Sequence, residues 1–218
     1  MTSDDLDYVR AIVSAGLLRS DCLEMGAGYG GETCRAIVEG AGLRYATTDL
    51  TARVPVDVVA DFEADPATLA GQFAGRAPFG SILCLNMLGN CFDPIRVLDN
   101  AVRLLAPGGT LVVVALSVWP LNDWPVDCWR MSPGFLVEYA RRRGLELVPG
   151  THQYVGRGPV ERFRDASGQH HLPPPARTPA RHLYARIVHR AFNTCARLMF
   201  FPSHVATGAV LRKPAGAT

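Results

Sequence analysis

Ten residues, Cys22 to Gly31 (CLEMGAGYGG), constrain this chain more than any other stretch. A short run ends in a carboxylate, Glu24, and Gly26, Gly28, Gly30 and Gly31 follow before a helix-like segment from Glu32 to Glu39. Strand, glycine turn and helix in that order give a loop that bends sharply and places no Cβ between its backbone and a ligand. Such a turn is a candidate cradle for a nucleotide. Gly26-x-Gly28-x-x-Gly31, with Asp49 about 20 residues further on, also satisfies the dinucleotide fingerprint, so the glycines leave the nucleotide open.

The rest of the chain alternates in a regular way. Leu6, Val9, Ile12 and Val13 are spaced for a short N-terminal helix that Gly16 ends. Strands are expected near Asp21–Met25, Arg44–Thr48, Val56–Ala60, Phe79–Asn86, Thr110–Leu116, Glu146–Val148 and Val205–Leu211, with helices at Pro66–Phe73, Pro94–Leu105 and Pro133–Arg143. This order predicts a mainly parallel sheet covered on both faces. Ligands of such sheets bind beyond the carboxyl ends of the strands, where Glu24, Asp49, Asp61 and Asn86 fall. Gly156 to Arg177 is rich in Gly, Pro and charge and reads as loop; Pro179 to Phe200 reads as a basic amphipathic helix.

Glu24 bears on the choice of ligand. A carboxylate just before the glycines would repel a pyrophosphate, whereas the ammonium and sulfonium of S-adenosylmethionine would be attracted to it. Glu24-x-Gly26-x-Gly28-x-Gly30, with Asp49 and Asp61 after the next two strands and LDNAVRLLAPGGTLVV at Leu98–Val113, resembles the class I S-adenosylmethionine-dependent methyltransferases over roughly Leu18 to Val148. The resemblance implies an α/β fold: a Rossmann-like, doubly wound, seven-stranded sheet in three layers, mainly parallel with an antiparallel last strand. It implies one domain over 1–218, with 156–200 inserted before that strand. It also implies that Glu24, Gly26, Gly28 and Gly30 lie against the methionine and ribose portions of the cofactor. Asp49 and Leu50 would be at the ribose, Asp61 and Phe62 at the adenine, and Asn86 and Met87 beside the cofactor after the fourth strand. NMLGN departs there from the E-H-V type of segment common among relatives.

Trp119 to Pro133 (WPLNDWPVDCWRMSP) follows the fifth strand and resembles an H-x-x-P-x-D-x-W-R-x-[ST]-P segment of some of these methyltransferases. Pro125, Asp127, Trp129, Arg130, Ser132 and Pro133 match, and Asn122 stands where the histidine would be. An asparagine can orient a hydroxyl but cannot take its proton. Asp123, Asp127 and His152 are therefore the candidate bases, and Asn122, Trp124, Trp129 and Arg130 the candidate acceptor contacts. Asp127 and Arg130 read equally as an internal ion pair. His170 and His171 are expected to be solvent-exposed, with no metal.

Charge is uneven along the chain. Residues 1–140 carry 9 Arg and Lys against 17 Asp and Glu, while 141–218 carry 13 against 3. The basic end suits the fold's own acidic face, an anionic membrane surface, or an acidic acceptor, for which Arg157, Arg162 and Arg164 are candidates. No apolar run approaches the roughly 20 residues that span a bilayer, the N-terminus is acidic where a signal peptide would be basic, and six dispersed cysteines make neither a zinc site nor a disulfide framework. The expectation is a cytoplasmic enzyme, monomer or homodimer, that O-methylates a small molecule such as a sugar, nucleoside or specialised metabolite, with no nucleic-acid partner. The rivals are a non-methylating enzyme of the same cofactor and fold, a basic membrane- or nucleic-acid-binding protein with a vestigial site, and an NAD-dependent dehydrogenase.

Overall fold

A computed structural model describes residues 2–27, 33–119, 126–156 and 205–216. Helix α1 is Ser3–Ser14. Then come β1 (Cys22–Met25), α2 (Arg35–Gly40), β2 (Tyr45–Asp49), β3 (Val58–Val59), α3 (Pro66–Gln72), β4 (Phe79–Leu85), a 3-10 turn (Leu88–Asn90) and α4 (Pro94–Leu104). The chain continues through β5 (Leu105–Val118), α5 (Pro133–Arg143), β6 (Glu146–Leu147), β7 (Gln153–Gly156) and β8 (Val205–Arg212).

The strands form one sheet in the order β3-β2-β1-β4-β5-β8-β6, with β7 also on β8. The first five are mutually parallel and β8 runs antiparallel to β5. This is the expected mixed, doubly wound sheet, with eight strand segments in place of seven. The eighth arises because β6 and β7 share one edge: β6 pairs with Leu211 and Arg212, β7 with residues 205–208, and the turn at Pro149–Thr151 lies between.

Alternation along the buried strands fills two cores. Ile82, Cys84, Leu111, Val113 and Ala115 face α3, α4 and α5, packing with Leu69, Phe73, Leu98 and Leu136. Leu83, Val112 and Val114 face α1 and α2, packing with Tyr8, Ile12 and Val38. Both faces of β4 are buried along its whole length, which is why the sequence there is apolar apart from Ser81, whose hydroxyl is hydrogen-bonded to Thr110. Cys22, Cys34, Cys84 and Cys91 are buried in these layers, and burial pushes the Cys22 and Cys91 thiols up to about 12, so they act as packing groups.

Local signals set the element ends. Thr2 and Asp5 close a capping box on α1. Asp65 and Asp93 cap α3 and α4, each followed by a proline at the first helical position. Part of the basic excess answers to the fold's own acids: Arg141 and Arg142 pair with Glu138, Arg143 with Asp99, and Arg212 with Glu146. The loop expected over Gly156–Arg177, apart from Gly156 itself, and the helix over Pro179–Phe200 lie outside the described residues. Among the described residues no helix is long and apolar enough to cross a membrane.

Candidate functional site

A cavity of about 330 Å³ opens at the carboxyl ends of β1, β2 and β4. Its wall includes Gly26 after β1, Thr48 to Thr51 and Arg53 around the end of β2, Ala60 to Glu63 after β3, and Leu85 to Met87 at the end of β4. Asn90, Cys91 and Val97 add the start of the next helical segment, Leu116 and Trp119 the end of β5, and Thr2 the start of α1. Gly26, Asp49, Leu50, Asp61, Phe62, Asn86 and Met87 of the expected cofactor set are thus brought together; Gly28 and Gly30 lie outside the described residues.

Each wall segment is held by its own hydrogen bonds. The amides of Gly26 and Ala27 donate to Thr48 O at 2.9 and 3.1 Å, which turns the chain out of β1. Asp49 Oδ1 accepts from the Thr51 amide at 3.0 Å, and Asp61 Oδ1 from the Glu63 amide at 2.8 Å. The carboxylate of Glu63 takes the amides of Phe92 and Asp93 at 3.0 and 2.8 Å. Fully buried Asn100 of α4 donates to Phe62 O at 2.8 Å and Ala64 O at 3.0 Å. Asn100 thereby pins the loop that carries Asp61.

Glu24 stands behind the wall, not on it. Its side chain is 2 % exposed, and Oε2 accepts from the Cys34 amide at 2.8 Å and the Tyr45 hydroxyl at 2.5 Å. That oxygen ties β1 to the start of α2 and to β2, a bracing role. Burial pushes the Glu24 carboxyl above the usual range. A carboxyl raised on folding contributes stability while protonated; the contribution is complete below the usual carboxylate range and is lost as pH rises through the raised value. Glu24→Gln removes that loss, so its melting temperature relative to the native chain should climb as pH rises from the usual carboxylate range to neutrality and above. A difference that stays level across that range would contradict this account of Glu24.

Of the expected catalytic residues, Asp127 and His152 are described, and neither lies on the cavity wall. Asp127 is gripped by Arg130 through both carboxylate oxygens, Nη2 to Oδ2 at 2.7 Å, and its side chain is 5 % exposed. Arg130 Nε also donates to Trp119 O at 3.3 Å, so the pair fastens the segment after β5. His152 is buried in the turn before β7, beside Thr151, whose carbonyl accepts from the Tyr8 hydroxyl at 2.9 Å, and it is not on the cavity wall. Trp129 is half exposed and donates to Phe92 O at 3.2 Å. Asn122, Asp123 and Trp124 lie outside the described residues.

The wall fits a nucleoside-like cofactor with polar ends. Thr48 Oγ1 and Asn86 Oδ1 are buried on it with no hydrogen-bond partner among the described residues, an arrangement that invites a ligand group. Gly26 has φ +71°, and a Cβ there would meet Met87 Cγ and Sδ at 3.1 Å. Gly26, Asp49, Asp61, Asn86 and Met87 are the described residues that would hold S-adenosylmethionine. Thr48 carries no spacing signal in the sequence; its value comes from standing beside Asp49 at a strand end.

Sheet order and cleft define a Rossmann-like, class I fold for binding S-adenosylmethionine. Residues 7–154 match the model of the methyltransferase domain family, and the chain belongs to that family, with S-adenosylmethionine as its cofactor. No curated protein matches the sequence. Among solved structures, the 1,6-didemethyltoxoflavin N1-methyltransferase of Burkholderia thailandensis, bound to its namesake compound and S-adenosylhomocysteine, is similar with a TM-score of 0.56 and 16% identity, covering 96% of this chain and 78% of that one. A SAM-dependent methyltransferase of Archaeoglobus fulgidus gives 0.55 and 10%, with 97% and 95% covered. The [4+2]-cyclase SpnF gives 0.51 and 17%, with 96% and 82% covered. These likenesses are likenesses of fold.

Proposed function

We propose that this protein transfers a methyl group to an oxygen of a small molecule, a sugar, nucleoside or specialised metabolite, acidic in character. The observation that supports this best is the continuity of the cavity wall: cofactor-type residues on β1, β2 and β4 run on to Asn90, Leu116 and Trp119. An acceptor entering past Trp119 would reach the same space. S-adenosylmethionine supplies an electrophilic methyl group on a sulfonium. The chain's part is then to hold the acceptor in line and exclude water, which accounts for much of the acceleration of such a displacement.

An unactivated alcohol also needs its proton removed. With Asp127 occupied by Arg130 and His152 off the cavity wall, Asp123 is the base in this proposal. Arg157, Arg162 and Arg164 are its acceptor-charge contacts, read from sequence alone.

The test is product mass after incubation with S-adenosylmethionine and a panel of hydroxylated, phosphorylated and carboxylated acceptors. A gain of one CH2 on an oxygen supports the proposal; conversion with unchanged mass, as a cyclase would give, overturns it. Asp123→Asn is expected to lower kcat about 100-fold or more with cofactor affinity retained. Asp127→Asn should chiefly lower the melting temperature.

A further inference from the structure

Helix α1 reaches the cofactor cleft through a single carboxylate. Asp5 is 2 % exposed, and its Oδ2 accepts from the Thr2 amide at 2.6 Å and from Asn86 Nδ2 at 2.7 Å. Thr2 and Asn86 both lie on the cavity wall. Asn86 has φ +55°, alone in the left-handed region among the described non-glycine residues, and its Oδ1 is buried without a hydrogen-bond partner among them.

The chemistry of the amide gives this arrangement a direction. The amide nitrogen only donates and its oxygen only accepts. Asp5 Oδ2 already accepts from the Thr2 amide, so it binds the nitrogen end of Asn86 and turns the oxygen end away from α1. A helix cap at the start of the chain therefore decides which atom a strand-end side chain offers elsewhere. The left-handed backbone at Asn86, a conformation asparagine tolerates better than most residues, completes the fixation.

We propose that Asp5 is a positioning residue of the cofactor site: by holding Asn86 Nδ2 it presents Asn86 Oδ1 to an N–H or O–H donor of bound S-adenosylmethionine. The proposal rests on the cofactor assignment, and it gives a side chain of α1 a part in a site built chiefly from the ends of strands.

Calorimetric titration with S-adenosylhomocysteine tests it, because affinity is read without turnover. Asn86→Gly removes the amide while suiting the positive φ, and should weaken binding about tenfold in a chain that circular dichroism shows to be folded. Asp5→Ala should weaken binding by a similar factor. Combined with Asn86→Gly it should add no further loss, because both changes remove one interaction. Asp5→Asn keeps a side-chain oxygen for both donors and should restore affinity to within about twofold of native. The proposal is overturned if Asn86→Gly binds like the native chain, or if Asp5→Ala costs another tenfold in the Asn86→Gly background. Should Asp5→Ala fail to fold, Asp5→Ser, whose shorter side chain cannot reach both Thr2 and Asn86, takes its place with the same expected loss, and native affinity in that variant overturns the proposal. A native chain that binds no S-adenosylhomocysteine overturns the cofactor assignment, and this proposal with it.

Discussion

Gly26→Val is expected to give a folded protein that binds S-adenosylhomocysteine about 100-fold more weakly than the native chain, a loss of roughly 2.7 kcal/mol. Two physical terms combine. Gly26 has φ +71°, where a β-branched residue is strained by about 1–2 kcal/mol or more. Its new Cβ would sit 3.1 Å from Met87 Cγ and Sδ, closer than ordinary contact allows. Met87 must then move, and because it lines the cavity it moves at the cofactor's expense. Gly26→Ala carries the same contact with a smaller side chain and should cost about tenfold. Titration reads the affinity and circular dichroism the fold; native affinity in the valine variant would contradict the placement of Gly26 and Met87 on the site.

Asn100→Leu is expected to lower the melting temperature by roughly 5–15 °C. The substitution keeps the heavy-atom count and branching of the side chain, although its methyl groups are bulkier, and strips the partners from two carbonyls, Phe62 O and Ala64 O, at a wholly buried position. Leaving a buried acceptor unsatisfied costs about 1–3 kcal/mol, and for a chain of this size each kcal/mol is worth about 2–4 °C. The loop released is the one that carries Asp61, Phe62 and Glu63, so cofactor affinity should fall too. A melting temperature within about 2 °C of native would mean that water satisfies both carbonyls.

Both residues show where sequence reading reaches and where it stops. The glycine turn and the polar residues at strand ends are written in spacing, and the structure gathers four of them, Gly26, Asp49, Asp61 and Asn86, around one cavity. Glu24 was legible as important, but not in its manner of acting, because the sequence does not say that Tyr45 and the Cys34 amide converge on its carboxylate. Asn100 lies in the middle of an amphipathic helix, where an asparagine looks solvent-facing; only the packing of α4 against the loop after β3 reveals its two carbonyl partners. Thr48 sits in a strand with neighbours on both sides, so alternation alone does not assign its face. Asp127 and Arg130, three residues apart, allowed both a catalytic and a structural reading, and depth in the fold, which spacing does not encode, gives their mutual grip. The eighth strand segment escaped for a related reason: β6 and β7 are two and four residues long and depend on β8, more than forty residues further on, for their pairing.

The central claim is that the cleft at the ends of β1, β2 and β4 takes S-adenosylmethionine and not a dinucleotide. Calorimetric titration of the native chain with S-adenosylhomocysteine and, in parallel, with NAD tests it most directly. Saturable one-site binding of S-adenosylhomocysteine, with no heat from NAD, is the expected result. Binding of NAD with none of S-adenosylhomocysteine would contradict it.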